Sequence, residues 1–555
     1  MSDRLNNDLL DIEEIVDFGK KHQCCPFYGA RQALPRVDVA ILPYQLLLVP
    51  SARAACGIDL TNSVVIVDEA HNLAGAIESS YASELTIDTL TQAYKHLNQY
   101  KAKYGARLNA KNMMCVKQLL QVILAMGKSL RRFKGESKTV TTREMIVDAK
   151  LDQIDLFKLI GYMAQSQVSN KVKGFARMKQ DDTSSTPSST DESNALKSFL
   201  VSKSKQKSPS KAATVPDATT TITTDFGLGP LLQVEIFLGL MLTPGADIRV
   251  IISQANEGTS ASYRLVLLDT STIFAELVKE SRSVILAGGT MKPYDTLRQQ
   301  LLSSLTPDVV KWFSCMHVIQ KHQMQAFIIQ RGIENGPFEF NYANNANIKM
   351  KTELGKTLLN TVQSVPAGVV VFFTSYRQEK AFYDLWQKQG QLTAIEKHKT
   401  IFREPKKQSE VDELLANYGK SVRTRGAILF AVVGGKVSEG INFSGDLCRA
   451  VIMVGLPFPD LKSVVIKQKM AWLDGQKKGS GQVLYQGLCM RQVNQCVGRA
   501  IRNRTDAALI LFFDLRYARD NIQRQLPDWI RKETRTFETY LKAKPELVKF
   551  CRTLK

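Results

Sequence analysis

Three polar side chains stand directly after a short apolar run near residue 68. In VVIVDEAHNL, the run Val64–Val67 is followed by Asp68, Glu69 and His71. Such a run predicts a buried strand, and open α/β sheets bind ligands at the carboxyl ends of their parallel strands. We expect Asp68 to hold a magnesium ion through water and Glu69 to polarise the water that attacks a terminal phosphate. His71 would sense that phosphate and report it to a partner domain.

A second group of polar side chains lies in QCVGRAIRNR. Gln495, Arg499 and Arg502 are spaced by four and then three residues, which predicts one helical face with an amide and two guanidinium groups. Guanidinium groups donate in a plane to phosphate oxygens and spread negative charge, so this face suits an arginine finger on a γ-phosphate. A solvated basic helix is the alternative interpretation.

Two glycine-containing segments follow other apolar runs. LAGGTMKP places Gly288 and Thr290 after one run, and AVVGGKVSEGINF places Glu439 and Gly440 after another. Glycine after a buried strand permits a tight turn and the close approach of a ligand. Both segments are candidate nucleotide-binding loops, and each also fits an ordinary strand-to-helix connection.

Short apolar runs recur along the chain and predict the strands that would position these residues. The runs are 64–67, 248–252, 265–268, 284–287, 327–329, 369–373, 427–433, 451–454 and 508–513. Continuous apolar runs are typical of buried parallel strands, and the Leu-, Lys-, Glu- and Gln-rich segments between them fit crossover helices. The predicted fold class is therefore α/β.

Two stretches interrupt this pattern. Between about 85 and 165 the apolar residues recur at helical spacing, as in Leu90 and Leu97, which predicts a mainly helical insertion. Residues 178–225 are rich in Ser, Thr, Lys and Pro, a composition that predicts a disordered loop within this insertion.

Composition and charge favour a multidomain protein without a membrane span or a disulfide framework. The 555 residues exceed one ordinary core, so two or three domains are expected. Lys and Arg outnumber Asp and Glu by 74 to 53, and the net charge of +21 suits DNA or RNA as partner, with a solvated basic surface as the alternative. No apolar run reaches the roughly 18 residues of a membrane span, and the N-terminus resembles no targeting signal. The nine scattered cysteines suggest no disulfide framework.

The order of the motifs resembles a known family. DEAH, GGT, FFTSY, GGKVSEGINF and QCVGRAIR follow one another as motifs II to VI do in superfamily-two helicases. CCPFYGAR, LPYQLL, FREPKK and the LPDWIR tail make the sequence similar to the XPD-like iron–sulfur helicases, and among them to the sister-chromatid-cohesion (ChlR) type. This similarity is specific over residues 20–78, 264–302 and 368–535.

The resemblance implies two RecA-like motor domains and a mainly helical, arch-like insertion. The expected division is a remnant of the iron–sulfur domain at 1–30, a first motor domain at 31–84 and 226–305, the insertion at 85–225 and a second motor domain at 320–555. ATP would lie between the two motor domains, and the first would lack its phosphate-binding loop.

The resemblance also implies roles for single residues. The magnesium, water-activating, coupling and γ-phosphate roles fall on Asp68, Glu69, His71, Gln495, Arg499 and Arg502. Gly288, Thr290, Glu439 and Gly440 would line the nucleotide. In FFTSY, Thr374 and Ser375 would approach the DNA backbone.

The implied function is that of an ATP-dependent DNA helicase. It would move 5′ to 3′ on single-stranded DNA and unwind forked or structured DNA in replication, repair and sister-chromatid cohesion. Its cofactors would be ATP, Mg²⁺ and a [4Fe–4S] iron–sulfur cluster, its location the nucleus, and its partners DNA and the cohesion and replication-fork proteins.

Two features of the resembled family are missing from the sequence. There is no G-x-x-x-x-G-K-[ST] phosphate-binding loop, and Cys25 matches only the last of four cysteines expected before DEAH. A truncated gene model or isoform is the simplest hypothesis. A catalytically silent isoform that binds DNA or a partner, and an RNA-directed DEAH helicase, stay open as alternatives.

Overall fold

The computed structural model describes residues 1, 5, 8, 10–183, 228–254, 260–315, 317–437, 443 and 445–554. Its strands, in chain order, are β1 Val64–Val67, β2 Glu84–Thr86, β3 Ser137–Thr141, β4 Ile248–Ser253, β5 Ser262–Leu267, β6 Ser283–Leu286, β7 Met324–Arg331, β8 Gly368–Phe373, β9 Thr400–Arg403, β10 Ala427–Val432, β11 Ala450–Val454, β12 Ala508–Phe513 and β13 Thr534–Thr539. Every predicted apolar run therefore coincides with a strand.

The α-helices precede β1, lie between the strands and follow β13. They are α1 Ile12–Lys21, α2 Pro26–Ala33, α3 Tyr44–Leu48, α4 Pro50–Cys56, α5 Leu73–Ser80, α6 Ile87–Tyr104, α7 Ala110–Arg132, α8 Thr142–Asp148, α9 Leu156–Ser166, α10 Val168–Thr183, α11 Pro230–Met241, α12 Ser271–Glu280, α13 Tyr294–Leu297, α14 Ile348–Ser364, α15 Tyr376–Lys388, α16 Gln391–Glu396, α17 Val411–Thr424, α18 Val464–Gln476, α19 Ser480–Val497, α20 Asp520–Gln523, α21 Asp528–Arg531 and α22 Tyr540–Thr553.

The chain divides into two compact units. The first contains the described parts of Met1–Ser63, Ala74–Ala212 and Thr220–Arg282, and the second contains Val64–Leu73 and Ser283–Lys555. The grouping differs from the predicted boundary between residues 225 and 226, because 228–282 belong to the same unit as the predicted insertion.

The second unit is built on a seven-stranded sheet in the order β13-β7-β12-β11-β8-β10-β9, with all neighbouring strands parallel. Strands β8, β10, β11 and β12 are buried at every position. Their alternate side chains enter two hydrophobic clusters, one on each face. Cover on both faces explains why these strands are continuous apolar runs, and the α/β prediction is confirmed.

The strands at 248–252 and 265–268 correct one prediction. They were expected to be parallel strands of a motor domain, but β4 and β5 pair antiparallel within a four-stranded sheet, β2-β5-β4-β3. Residues 254–261 are too few for a parallel crossover, which needs about a dozen residues or more. Both strands are nonetheless apolar at most positions, so the run of residue types could not distinguish the two pairings.

The helical insertion is confirmed over its described part. Leu90 and Leu97 of α6 are buried, as are Val116 and Ile123 of α7, and the two helices pack together. By length and composition alone α7 could cross a membrane, yet 44% of its most apolar window is buried inside the protein. Core helices of soluble proteins have the same character. The disordered loop predicted at 178–225 is wrong over 178–183, which form the end of α10, and its remaining residues lie outside the described part of the chain.

A separate two-stranded ribbon carries the DEAH segment. Strands β1 and β6 are parallel, with Val64 beside Ser283 and Val67 beside Leu286. In β1 the side chains alternate, because Val67 is 1% exposed and Ile66 is 68% exposed. One face of the ribbon is therefore covered and the other is open.

Candidate functional site

The DEAH turn is attached to the loop after β6 by continued strand pairing. The Ala287 N–H donates to the carbonyl oxygen of Val67 at 2.9 Å, and the Ala70 N–H donates to the carbonyl oxygen of Ala287, also at 2.9 Å. A Cβ atom placed on Gly288 would lie 3.6 Å from the Ala70 nitrogen. The structure thus brings together the two strand-end segments that the sequence predicts to bind nucleotide.

Glu69 has an unusual backbone. Its φ of 45° and ψ of 44° lie in the left-handed region, which costs a residue with a side chain about 1–2 kcal/mol. The turn is held because the Glu69 N–H donates to Asp68 Oδ1 at 2.9 Å and the Asn72 N–H donates to the Glu69 carbonyl oxygen at 2.9 Å. Backbone strain of this kind is concentrated at functional sites. Both carboxylates are exposed at the end of β1.

His71 lies buried behind these carboxylates. Its Nδ1 atom is 3.2 Å from Glu69 Oε2. Burial lowers the pKa of His71, Glu69 opposes that shift, Arg491 and Arg499 reinforce it, and Asp68 opposes it. The neutral imidazole is therefore favoured, and this side chain is electrostatically linked to both carboxylates and to two arginines.

Sequence reasoning missed Arg491, which joins the DEAH turn to α19. One guanidinium nitrogen donates to the His71 carbonyl oxygen at 3.2 Å, and the other donates to Gln300 Oε1 at 2.7 Å. Arg491 precedes Gln495 by four residues, so the two share a helix face. That spacing was the available signal, because extending the predicted polar face by one turn reaches Arg491.

The predicted single helical face of QCVGRAIRNR is wrong. Helix α19 ends at Val497, a 3₁₀ turn covers Gly498–Ala500, and Arg502 lies beyond it with an exposed side chain. The reason is Asp506, whose buried carboxylate accepts the amide of Arg502 at 2.8 Å and that of Asn503 at 2.8 Å. These bonds stabilise a turn in place of a further helical turn.

The predicted phosphate-contacting residues are therefore placed differently from one another. Gln495 is half-buried on α19, and Arg499 in the 3₁₀ turn is close enough to His71 to affect its pKa. A Cβ atom on Gly498 would lie 3.4 Å from Thr290 Cγ2, so the segment beside Arg499 also packs on the loop after β6. Glu439 and Gly440 lie outside the described residues.

Thr374 and Ser375 follow β8 at the carboxyl edge of the large sheet. The Gln378 N–H donates to Ser375 Oγ at 3.1 Å, and the Thr374 hydroxyl donates to Gln378 Oε1 at 2.9 Å. Ser375 therefore caps the start of α15, and Thr374 binds the side chain of Gln378 in the first turn of that helix. Ser375 is exposed, which leaves it accessible to a ligand at this edge.

The candidate metal ligands differ in how well they fit. Asp68 is an exposed carboxylate beside Glu69, and one or two carboxylates with water suit Mg²⁺. Cys25 is exposed at the start of α2, and no group of three or more His, Cys, Asp or Glu residues in the described ranges is arranged to hold a metal. The described residues thus do not fit a four-cysteine iron–sulfur cluster.

Two family models and several known proteins match this chain. A family model described as Helicase C-terminal domain matches residues 358–533, and the DEAD_2 model matches residues 1–90. The chain is 32% identical over 550 residues to the ATP-dependent DNA helicase chl1 of Aspergillus clavatus, covering 94% of this chain and 70% of that protein. This chain belongs to the DDX11/chl1 family of DNA helicases.

Other members of the DDX11/chl1 family are similarly related. The ATP-dependent DNA helicase DDX11 of Danio rerio is 36% identical over 566 residues, which are 97% of this chain and 64% of that protein. The chain therefore spans about 64% of the length of this relative, and also of DDX11 from Mus musculus, which is 36% identical over 582 residues.

Solved structures support the fold. The structure of S. tokodaii Xpd4 has a TM-score of 0.50 at 15% identity and covers 91% of this chain and 84% of that one. A structure titled XPD_Helicase has a TM-score of 0.51 at 15% identity, covering 95% and 77%. The DDX11/chl1 chain thus shares its α/β fold with XPD helicases.

Proposed function

We propose that this chain provides the water-activating and phosphate-sensing residues of an ATP-dependent DNA helicase. One observation carries the proposal: the strained DEAH turn, the loop after β6 and the arginines at the end of α19 lie together in the second unit. Arg491 is bonded to the His71 carbonyl oxygen at 3.2 Å, and Arg499 affects the pKa of the same histidine.

The residues suggest a division of labour. Glu69, exposed at the end of β1, would accept a proton from the water that attacks the terminal phosphate. Magnesium, held through water by Asp68, would neutralise charge on the phosphate oxygens. Arg499 would donate to the developing negative charge, with Gln495 beside it as a further contact. His71, whose Nδ1 atom lies 3.2 Å from Glu69 Oε2 and whose carbonyl oxygen accepts from Arg491 of α19, would transmit the state of the site.

The nucleic-acid partner we propose is DNA. The net charge of +21 suits a polyanion, and Thr374 and Ser375 at the exposed edge of the sheet are the proposed backbone contacts. From the family we further infer 5′ to 3′ movement, action on forked DNA in replication, repair and sister-chromatid cohesion, and a nuclear location. Cohesion and replication-fork proteins are the proposed protein partners.

The test is ATP hydrolysis, with and without single-stranded DNA, by a form of the protein extended to include the G-x-x-x-x-G-K-[ST] loop that this sequence lacks. We expect DNA-stimulated hydrolysis in the wild type and a loss of at least about 100-fold in Glu69→Gln. Glu413→Gln, on the exposed face of α17, is the matched control and should hydrolyse normally. Unchanged hydrolysis in Glu69→Gln would contradict the proposed role of Glu69.

A second candidate is a DNA- or partner-binding module without hydrolysis. The observation that favours it is that the sequence contains no G-x-x-x-x-G-K-[ST] loop. Salt-sensitive DNA binding together with no binding of a fluorescent ATP analogue would support this candidate over the first. Preferential binding of RNA would instead support the RNA-directed alternative.

A further inference from the structure

A partly buried carboxylate in the FREPKK segment lies at the end of β9, the edge strand of the seven-stranded sheet. Glu404 directly follows β9, and its N–H donates to the Phe430 carbonyl oxygen of β10 at 2.9 Å. The pairing of β9 with β10 therefore fixes the position of the Glu404 backbone, from which the side chain extends. It points to the loop that follows β10, on the same edge as Thr374 and Ser375.

Backbone donors at the end of β10 and in the loop after it bind this carboxylate. The Val432 N–H donates to Glu404 Oε2 at 2.7 Å, and the Val437 N–H donates to Oε1 at 3.1 Å. Burial raises the pKa of Glu404, and these bonds act in the opposite direction. The two amides are five residues apart in sequence, so this one carboxylate binds both ends of the segment 432–437.

The glycines of this loop are explained by the carboxylate. Gly434 has a φ of 71°, in the left-handed region that favours glycine. A Cβ atom on Gly435 would lie 2.3 Å from Glu404 Oε1, which is far inside van der Waals contact. The paired glycines therefore allow the turn Gly434–Val437 to close over Glu404.

The same carboxylate also reaches the loop after β8. The Tyr376 hydroxyl donates to Glu404 Oε1 at 2.9 Å, and Tyr376 directly follows Ser375. Since β8 and β10 are neighbouring strands, one side chain joins the two loops that extend from their carboxyl ends. Tyr376 ends the FFTSY motif and Glu404 lies in FREPKK, but neither side chain is among those to which the resemblance gives a role.

We propose that Glu404 is a positioning residue that holds the proposed DNA-contact segment Thr374–Tyr376 at a fixed spacing from the glycine turn Gly434–Val437. The inference rests on the proposed DNA binding by Thr374 and Ser375. Without the carboxylate, the Tyr376 hydroxyl and two backbone amides lose their shared acceptor, and the two loops can shift independently. Single-stranded DNA would then meet a misplaced Ser375.

The experiment is a double-mutant cycle on DNA affinity with Glu404→Gln and Tyr376→Phe. In Glu404→Gln an amide NH₂ replaces one accepting oxygen and faces a donor, whereas Tyr376→Phe removes only the hydroxyl link and is the milder change. Affinity for labelled single-stranded dT20 is measured by fluorescence anisotropy at low salt. Glu413→Gln and Tyr342→Phe, both at exposed positions, are the matched controls.

We expect each single variant to weaken DNA binding by about 5- to 10-fold and the double variant to bind no worse than Glu404→Gln alone. A purely structural role would lower the thermal unfolding midpoint while leaving the DNA affinity of the folded protein unchanged, and that result would overturn the inference. So would independent, multiplying losses in the double variant.

Failure of the proposed function is distinguishable from failure of this inference. If the wild-type chain does not bind dT20 at low salt, the proposed DNA binding itself is wrong. If the wild type binds and Ser375→Ala weakens binding, but Glu404→Gln and Tyr376→Phe bind like the wild type, only the role of Glu404 is wrong.

Discussion

Two parallel sheets in the second unit are made from similar apolar runs but are covered differently. The AVIMV run of β11 is buried at every position, whereas the VVIV run of β1 alternates between buried and exposed. The large sheet has hydrophobic clusters on both faces, while the β1–β6 ribbon has an open face. The difference indicates that the position of β1 is stabilised less by packing within its own sheet. It is stabilised more by the contacts that the loop after β6 and Arg491 make with the DEAH turn.

The largest expected effect is on the free energy of unfolding, and it is tested by replacing one isoleucine in each sheet. Ile452→Ala in β11 removes a fully buried side chain and should lower the free energy of unfolding by about 3 kcal/mol. Ile66→Ala in β1, where the side chain is 68% exposed, should change it by less than about 0.5 kcal/mol. Urea unfolding followed by tryptophan fluorescence reports on this unit, because the four tryptophans all lie within Ser283–Lys555. Equal losses of unfolding free energy in the two variants would contradict the proposed difference between the two sheets.

A second effect is specific to the large sheet and depends on alkaline pH. Lys399 is buried and donates to the Ala367 carbonyl oxygen at 2.6 Å, and burial lowers its pKa from 10.5 to about 8. Between these values the unfolded chain binds a proton that the folded chain has released, so stability rises with pH.

The matched variant is Lys399→Met. The wild type should gain on the order of 2 kcal/mol over this variant as the pH is raised from 8 towards 10.5, measured by urea unfolding. Parallel pH profiles for the two proteins would show that the lysine is charged in the folded state throughout.

The smallest expected effect is on stability at acid pH, and it concerns His71 in the turn after β1 of the ribbon. The folded pKa of His71 is lowered, chiefly by burial, so the unfolded chain binds more protons below the ordinary histidine pKa of about 6.5. The stability contributed by neutral His71 should therefore be lost as the pH falls below that value. Arg491→Ala should raise the His71 pKa, which can be read from the histidine ring signals by NMR. An unchanged pKa would show that Arg491 does not act on His71.

The apolar runs predicted nine of the thirteen strands in the described residues, because a buried strand depends on a local pattern, whereas β2, β3, β9 and β13 had no predicted run. Every apolar run became a strand, and the polar residues after β1 and β6 were brought together as expected for strand ends. Pairing direction was not predictable for β4 and β5, because burial on two faces produces the same apolar run in an antiparallel sheet as in a parallel one.

The remaining differences arose from long-range contacts. Asp506 ends the helical pattern before Arg502, and nothing in the local spacing of QCVGRAIRNR reports that carboxylate. Arg491 and Glu404 were missed because their partners, His71 and Tyr376, are distant in sequence. The residue types around a carboxylate or a guanidinium group in the sequence do not show which distant loop its side chain will contact.

The central claim is that α19 holds the DEAH turn, and hydrogen–deuterium exchange of residues 64–73 tests it most directly. Comparison of the wild type with Arg491→Ala should show exchange about tenfold faster in this segment, with β8 and β10 unchanged. Arg552→Ala, at an exposed position of α22, is the control and should exchange like the wild type. Unchanged exchange at residues 64–73 in Arg491→Ala would contradict the claim.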